Sequence, residues 1–351
     1  MYQLDNRSTW SAGLYPGWNR EGQRQFTLVI KAGFSFDAQG RLTPLPPPAI
    51  EEADRYRGEP GRSSLVAACE TVPFKQGGEL LLYGTAQAPG GGRTVGEVEI
   101  SLRRGEGTPW SKALRVFGRR SWKTRLLLAV PGDPEPLAAV PLIYENAYGG
   151  CDPGDGEKIF APNPAGRGYS EKGHRLKGLE LPQLEIGPRF IASPAARPAP
   201  AGFGPLSPLW EPRLGASATL DADAVLHGGC PWGREVAADL FNAAPPDQRF
   251  SDPFRGDECI TLRGLVAAAS QGVPLHLPSL QPDARLLRAR QAQNLQTCCD
   301  TLVIDADAMH LYLIYRAALA WDARQSPGGS VLVRDLDSGE NAPAAPTEAW
   351  I

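Results

Sequence analysis

Between Phe26 and Phe36 every second residue is apolar: Phe26, Leu28, Ile30, Ala32, Phe34 and Phe36. Successive side chains of a strand point to opposite faces, so this row predicts a long strand with one buried face. The same alternation predicts strands at Glu79–Ala86 and at Val95–Arg103, where Val98, Ile100 and Leu102 oppose Glu97, Glu99, Ser101 and Arg103. Further strands are expected at Leu114–Phe117 and Trp122–Val130, parted by the turn-prone Gly118, and at Glu258–Val266. Thr301–Ile304 and Met309–Ala317 form an expected hairpin, with Asp305-Ala306-Asp307-Ala308 as its turn. Asp side chains favour such turns because they bond to nearby backbone N–H groups. Short alternating segments separated by turn residues are the signature of a sandwich or barrel, so the expected fold class is mainly β.

Helix signals are few. Arg234–Asn242 places Val236, Leu240 and Phe241 at helical spacing, and residues 285–296 carry helix formers with too little amphipathic period to assign. Gly (39) and Pro (34) together make up about a fifth of the 351 residues, which calls for many turns and long loops. They already break regular structure over residues 37–62, and from Tyr144 to Arg213 they become dense while hydrophobic periodicity fades. Tyr144, Tyr148, Phe160, Tyr169, Phe190, Phe203 and Trp210 supply enough anchoring area for that stretch to be ordered. The expected organisation is a β-rich half at 1–145, an ordered Gly/Pro/aromatic loop region at 146–213, a β-rich half at 214–325 and a loosely held tail at 326–351. Each half would be sandwich- or barrel-like. The alternative is one continuous domain at about 20–320.

Several classes of function lack their raw material. The formal net charge is -3 and the pI about 5.9, without the basic balance of a nucleic-acid binder. Arg103, Arg104, Arg115, Arg119, Arg120, Lys123 and Arg125 alternate with apolar residues on expected strands, which reads as a solvated sheet face. No segment resembles a signal peptide and no apolar run approaches the roughly 18 residues of a membrane helix, so a cytoplasmic chain without membrane contact is expected. The six cysteines (Cys69, Cys151, Cys230, Cys259, Cys298, Cys299) are expected as free thiols, with no Cys-x-x-Cys pair. The four histidines stand far apart, and neither a metal nor another cofactor is expected. Gly61-Arg62-Ser63-Ser64-Leu65 lacks the second glycine of a nucleophile elbow. Gly90-Gly91-Gly92 and Gly149-Gly150 lack the continuation of a phosphate loop. Asp221/Asp223, Asp257/Glu258 and Asp305/Asp307 read as surface turns and strand ends.

The aromatics and arginines on loops are the usual anchors of interfaces, and equally what pins loops to a sheet. The middle of the chain is more specific. Seven segments occur in order: residues 141–150 (PLIYENAYGG), 163–169 (NPAGRGY), 181–185 (LPQLE), 200–205 (PAGFGP), 210–213 (WEPR), 241–248 (FNAAPPDQ) and 300–305 (DTLVID). Together they resemble a domain-of-unknown-function family encoded beside type VI secretion spike and effector genes, over about residues 20–320.

The resemblance implies a non-catalytic effector adaptor or chaperone. Its partners would be a toxin effector, the VgrG spike trimer or its PAAR-type tip protein, and a co-chaperone. The chain departs from the family pattern between Gly215 and Asp239 and at Cys299, and a variable stretch is where cargo choice could be written. Glu145, Tyr148, Gly149, Gly150, Asn163, Gly166, Arg167, Gly168, Phe203, Trp210 and Arg213 are the candidate structural or partner-binding residues. The glycines permit backbone angles strained for other residues, and each arginine can bridge several carbonyls or a carboxylate, Glu145 among them. The competing expectation is a carbohydrate-active or hydrolytic enzyme on a β scaffold, using paired acids such as Glu145 and Asp152.

Overall fold

The structure is a computed structural model that describes residues 2–335 except 89, 127, 172–175, 189, 234, 289–290 and 322–328. The strand expected at Phe26–Phe36 runs Arg24–Phe36. It pairs antiparallel with His310–Ala320, from Gln25 opposite Ala320 to Ser35 opposite His310. Both belong to a seven-stranded sheet ordered Arg249–Phe250, Gly78–Tyr83, Cys298–Asp305, His310–Ala320, Arg24–Phe36 and Ser11–Trp18, with Leu42–Pro44 also on Arg24–Phe36. A five-stranded sheet is ordered Leu184–Glu185, Trp110–Phe117, Val95–Arg104, Glu258–Arg263 and Val273–His276. A four-stranded sheet is ordered Tyr2–Asn6, Gly329–Arg334, Asp283–Arg288 and Gln291–Leu295.

One face of each sheet feeds a common apolar cluster. Leu28, Ile30, Ala32 and Phe34 join Val98, Ile100, Leu102 and Leu114 of the second sheet and Leu286, Val331 and Val333 of the third. The protein is mainly β with several sheets, and among the described residues no barrel is closed. Each of the three large sheets takes strands from both sides of the central loop region. The expected division into halves at 1–145 and 214–325 therefore gives way to one interleaved core.

Other expectations change in detail. Trp122–Val130 is two strands, Trp122–Arg125 and Leu128–Pro131, folded back on each other as a hairpin. Residues 285–288 and 291–295 lie in strands despite their helix formers, because Asp283–Arg288 is held between Gln291–Leu295 and Gly329–Arg334. Such pairing overrides local propensity. Gly329–Arg334 falls in the expected loose tail but pairs parallel with Tyr2–Asn6. The rest of that tail, beyond residue 335, lies outside the described residues. The helix near Arg234–Asn242 is confined to Ala238–Phe241, and the other α-helices among the described residues are Arg213–Ser217 and Ala222–Leu226. Among the described residues no helix is long and apolar enough to cross a membrane.

The second face of the seven-stranded sheet is buried too, but it is charged. Lys31, Glu79, Asp300, Thr301 and Arg316 sit there nearly inaccessible to solvent. Buried charges cost heavily unless each is paired and hydrogen-bonded. Covering loops supply the partners. Lys31 Nζ meets Glu70 at 2.8 Å and donates to the Ala49 carbonyl at 2.9 Å. Lys75 pairs with Glu79, whose other oxygen accepts from Ala244 N–H at 3.1 Å. Arg316 pairs with Asp300 and donates to the carbonyls of Glu70 and Val72. The Gly/Pro-rich segments are thus a lid, stitched down by ion pairs rather than by apolar contact alone.

Candidate functional site

The central loop region closes on a knot around Asn163, which is fully buried. Its side-chain amide donates to the carbonyls of Tyr144 (2.8 Å) and Tyr148 (3.0 Å), while its own carbonyl accepts from Gly150 N–H (2.8 Å). Strands cannot be this close unless side chains are absent. Gly150 has φ +94°, and a Cβ there would overlap the Gly166 carbonyl oxygen. Tyr148–Gly149 pairs parallel with Arg167–Gly168, in a two-residue bridge. Arg167 caps the knot by donating to the Glu145 carbonyl (2.8 Å), to Asn146 Oδ1 (3.0 Å) and to Glu180 (2.9 Å).

The remaining candidates sit nearby. Trp210 is fully buried, donates to the Gly61 carbonyl at 2.8 Å and meets Tyr144 edge-on at 5.8 Å. Phe203 is fully buried, and its carbonyl accepts from Gln248 Nε2 at 2.8 Å. Arg213 spans the carbonyls of Leu206, Asp239 and Leu240, and its burial lowers its pKa. The sequence-derived set therefore gathers into one place, where most of its side chains face inward and fasten loops. Loop pinning is the job of Tyr144, Tyr148, Phe203 and Trp210.

Two carboxylates in this region have other partners than expected. Glu145 pairs with neither arginine side by side: its oxygens accept from Ser64 N–H (2.8 Å) and Ser64 Oγ (2.7 Å). Asp152 accepts from the N–H groups of Gly154, Asp155 and Glu171 and from Ser170 Oγ. Those bonds, that from Glu171 first, hold its pKa below the usual carboxylate value. A general acid needs the opposite shift. Each oxygen of both groups is engaged in closing a loop.

Exposed chemistry lies elsewhere. The hairpin Trp122–Pro131 is rooted by Trp122, which is buried in a second apolar cluster with Tyr148, Leu181 and Ile191. At its turn Leu126 is 92% exposed with φ +48°, and Leu128 is 69% exposed. A left-handed leucine is strained where glycine or asparagine would be at ease. Leu214, Val225 and Leu226 are exposed along the short helices Arg213–Ser217 and Ala222–Leu226. A third feature is a groove of about 340 Å³ beside Trp110–Ala113, walled by Ile186, Phe190 and Asp247. The sequence signalled neither the hairpin tip nor the groove, since each depends on which segments turn away.

All six cysteines are free, and among the described residues no three His, Cys, Asp or Glu side chains are grouped to hold a metal ion. Fold and site together define an interleaved β protein whose central loops are held by buried polar contacts. Residues 21–316 match a family described as an uncharacterized protein conserved in bacteria (DUF2169), and the chain belongs to that family. No curated protein and no solved structure matches it.

Proposed function

We propose that this chain is a non-catalytic adaptor of type VI secretion, which binds a toxin effector and helps load it onto the VgrG spike trimer or its PAAR-type tip. The observation that carries the protein-binding part is Leu126, a leucine 92% exposed in a left-handed turn. An outlier of this kind costs stability and gives no burial in return within the chain, which points to a surface kept for a partner. The secretion context comes from the resemblance of the seven ordered segments. The engagement of Glu145 and Asp152 in loop closure weakens the competing hydrolase reading.

The test is co-expression of the tagged full chain with the effector and spike genes encoded beside it, followed by size exclusion. The expected result is a stoichiometric complex that is lost in the Leu126→Asp/Leu128→Asp variant while its melting curve stays that of the wild type. A chain that elutes alone with every neighbour overturns the proposal.

A further inference from the structure

The strand Trp110–Phe117 is an inner strand for only part of its length. On one side it pairs with Val95–Arg104 throughout, from Trp110 opposite Leu102 to Phe117 opposite Val95. On the other side its neighbour is Leu184–Glu185, which reaches only Arg115 and Val116. Phe117 N–H donates to the Gln183 carbonyl on that second side, whereas Gly118 N–H donates to Thr94 on the first. Backbone groups two residues apart point the same way in a strand. The N–H and C=O groups of Ser111 and Ala113 therefore face the second side, and among the described residues no strand pairs with them there.

The short neighbour ends at Glu185, which is buried, pairs with Arg120 and accepts from Ile191 N–H at 2.7 Å. The space left open is the groove of about 340 Å³. Two other edges are closed to a further strand: Ser11–Trp18 and Val273–His276 contain Pro16 and Pro274, residues without a donor.

We propose that this free edge docks an extended, uncharged segment of a partner protein, which adds to the five-stranded sheet in line with Leu184–Glu185. The inference rests on the protein-binding reading for the identity of that partner. Main-chain pairing supplies the affinity, as in other strand-addition complexes. The side chains on the strip, Ser111 and Ala113, are small and exposed, so an incoming backbone meets no obstacle on that face. Trp110, Ile186 and Phe190 give the groove apolar walls. Its charges are already balanced: Lys112 lies 2.8 Å from Asp247, and Arg115 lies 3.5 Å from Glu97. An incoming charge finds no unpaired opposite, which selects an uncharged segment.

The test uses the folded full chain and immobilised peptides of about ten residues. These tile the neighbouring effector and spike proteins and include a random uncharged set. The best peptide is then measured against wild type, Ala113→Pro and Glu21→Ala, a change at an exposed residue outside both surfaces. Binding should fall at least about tenfold in Ala113→Pro, the scale of a lost hydrogen bond, and hold in Glu21→Ala. With the wild-type chain, methylating alternate backbone nitrogens of the peptide should abolish binding and methylating the intervening ones should not. That scan stands even where Ala113→Pro fails to fold. Equal binding to a folded Ala113→Pro chain, a scan without alternation, or no peptide bound overturns the edge. Peptide binding without any neighbour co-purifying sinks the secretion reading and keeps the edge; the reverse pattern sinks the edge alone.

Discussion

Glu145 clasps Ser64 with both carboxylate oxygens, at 2.8 Å to its N–H and 2.7 Å to its hydroxyl, across 81 residues of sequence. The clasp fastens the lid over the charged sheet face to the central knot. Glu145→Ala removes two charge-assisted bonds and is expected to cost about 2–3 kcal/mol, against about 1 kcal/mol for Ser64→Ala. Urea unfolding of the two variants checks the order and the size.

Asn163→Ala leaves the buried carbonyls of Tyr144 and Tyr148 without the amide that serves both. An unsatisfied buried acceptor costs about 1–3 kcal/mol, so a loss of about 3 kcal/mol or more is expected from the pair. Amide exchange should speed up first within residues 144–169, which checks that the loss is centred on the knot.

The Lys31–Glu70 pair is almost fully buried. Lys31→Met strands the Glu70 carboxylate and should cost about 3–5 kcal/mol. Lys31→Met/Glu70→Gln, which leaves an acceptor for Glu51 N–H, should recover most of that. A thermodynamic cycle on the singles and the double decides it.

Acid should loosen the loop that Asp152 holds. Its pKa is lowered from 3.8 by backbone N–H groups, so its contribution is complete above that value and is lost as pH falls through the lower folded value. Asp152→Asn should remove this part of the pH dependence. Exchange rates of the Gly154 and Glu171 amides between pH 5 and pH 2, roughly the span in which a carboxylate titrates, give the readout.

Leu126→Gly relieves a left-handed leucine and buries nothing less. Stability should rise by about 0.5–1 kcal/mol while capture of the partner falls. A melting curve and a co-purification on the same preparation separate the two effects.

Much of the core was legible because alternation is local. Phe26, Leu28, Ile30, Ala32, Phe34 and Phe36 announce a buried face whatever covers it. The opposite face was not legible, because Lys31 and Arg316 read as solvent-facing until loops bring Glu70 and the Glu70 and Val72 carbonyls onto them. Residues 285–296 failed for a related reason: their pairing partner, Gly329–Arg334, lies some forty residues on and sat in a tail of loop-like composition. At the site, the seven segments marked where the chain ties itself together. Its outward chemistry, Leu126 and the edge at Ser111 and Ala113, depends on a turn and on a strand that stops short, and neither leaves a periodic trace.

The order of strands in the seven-stranded sheet also sets a clock. Arg24–Phe36 and Gly78–Tyr83 are not neighbours; Cys298–Asp305 and His310–Ala320 lie between them. The middle of the sheet is therefore made last. During synthesis Arg24–Phe36 can pair with Ser11–Trp18, but its other edge and that of Gly78–Tyr83 must wait for Cys298–Asp305 and His310–Ala320, which lie far along the chain. Until those two strands have emerged the centre of this sheet is missing, and a nascent chain halted before residue 298 should be a substrate for the cell's holding chaperones.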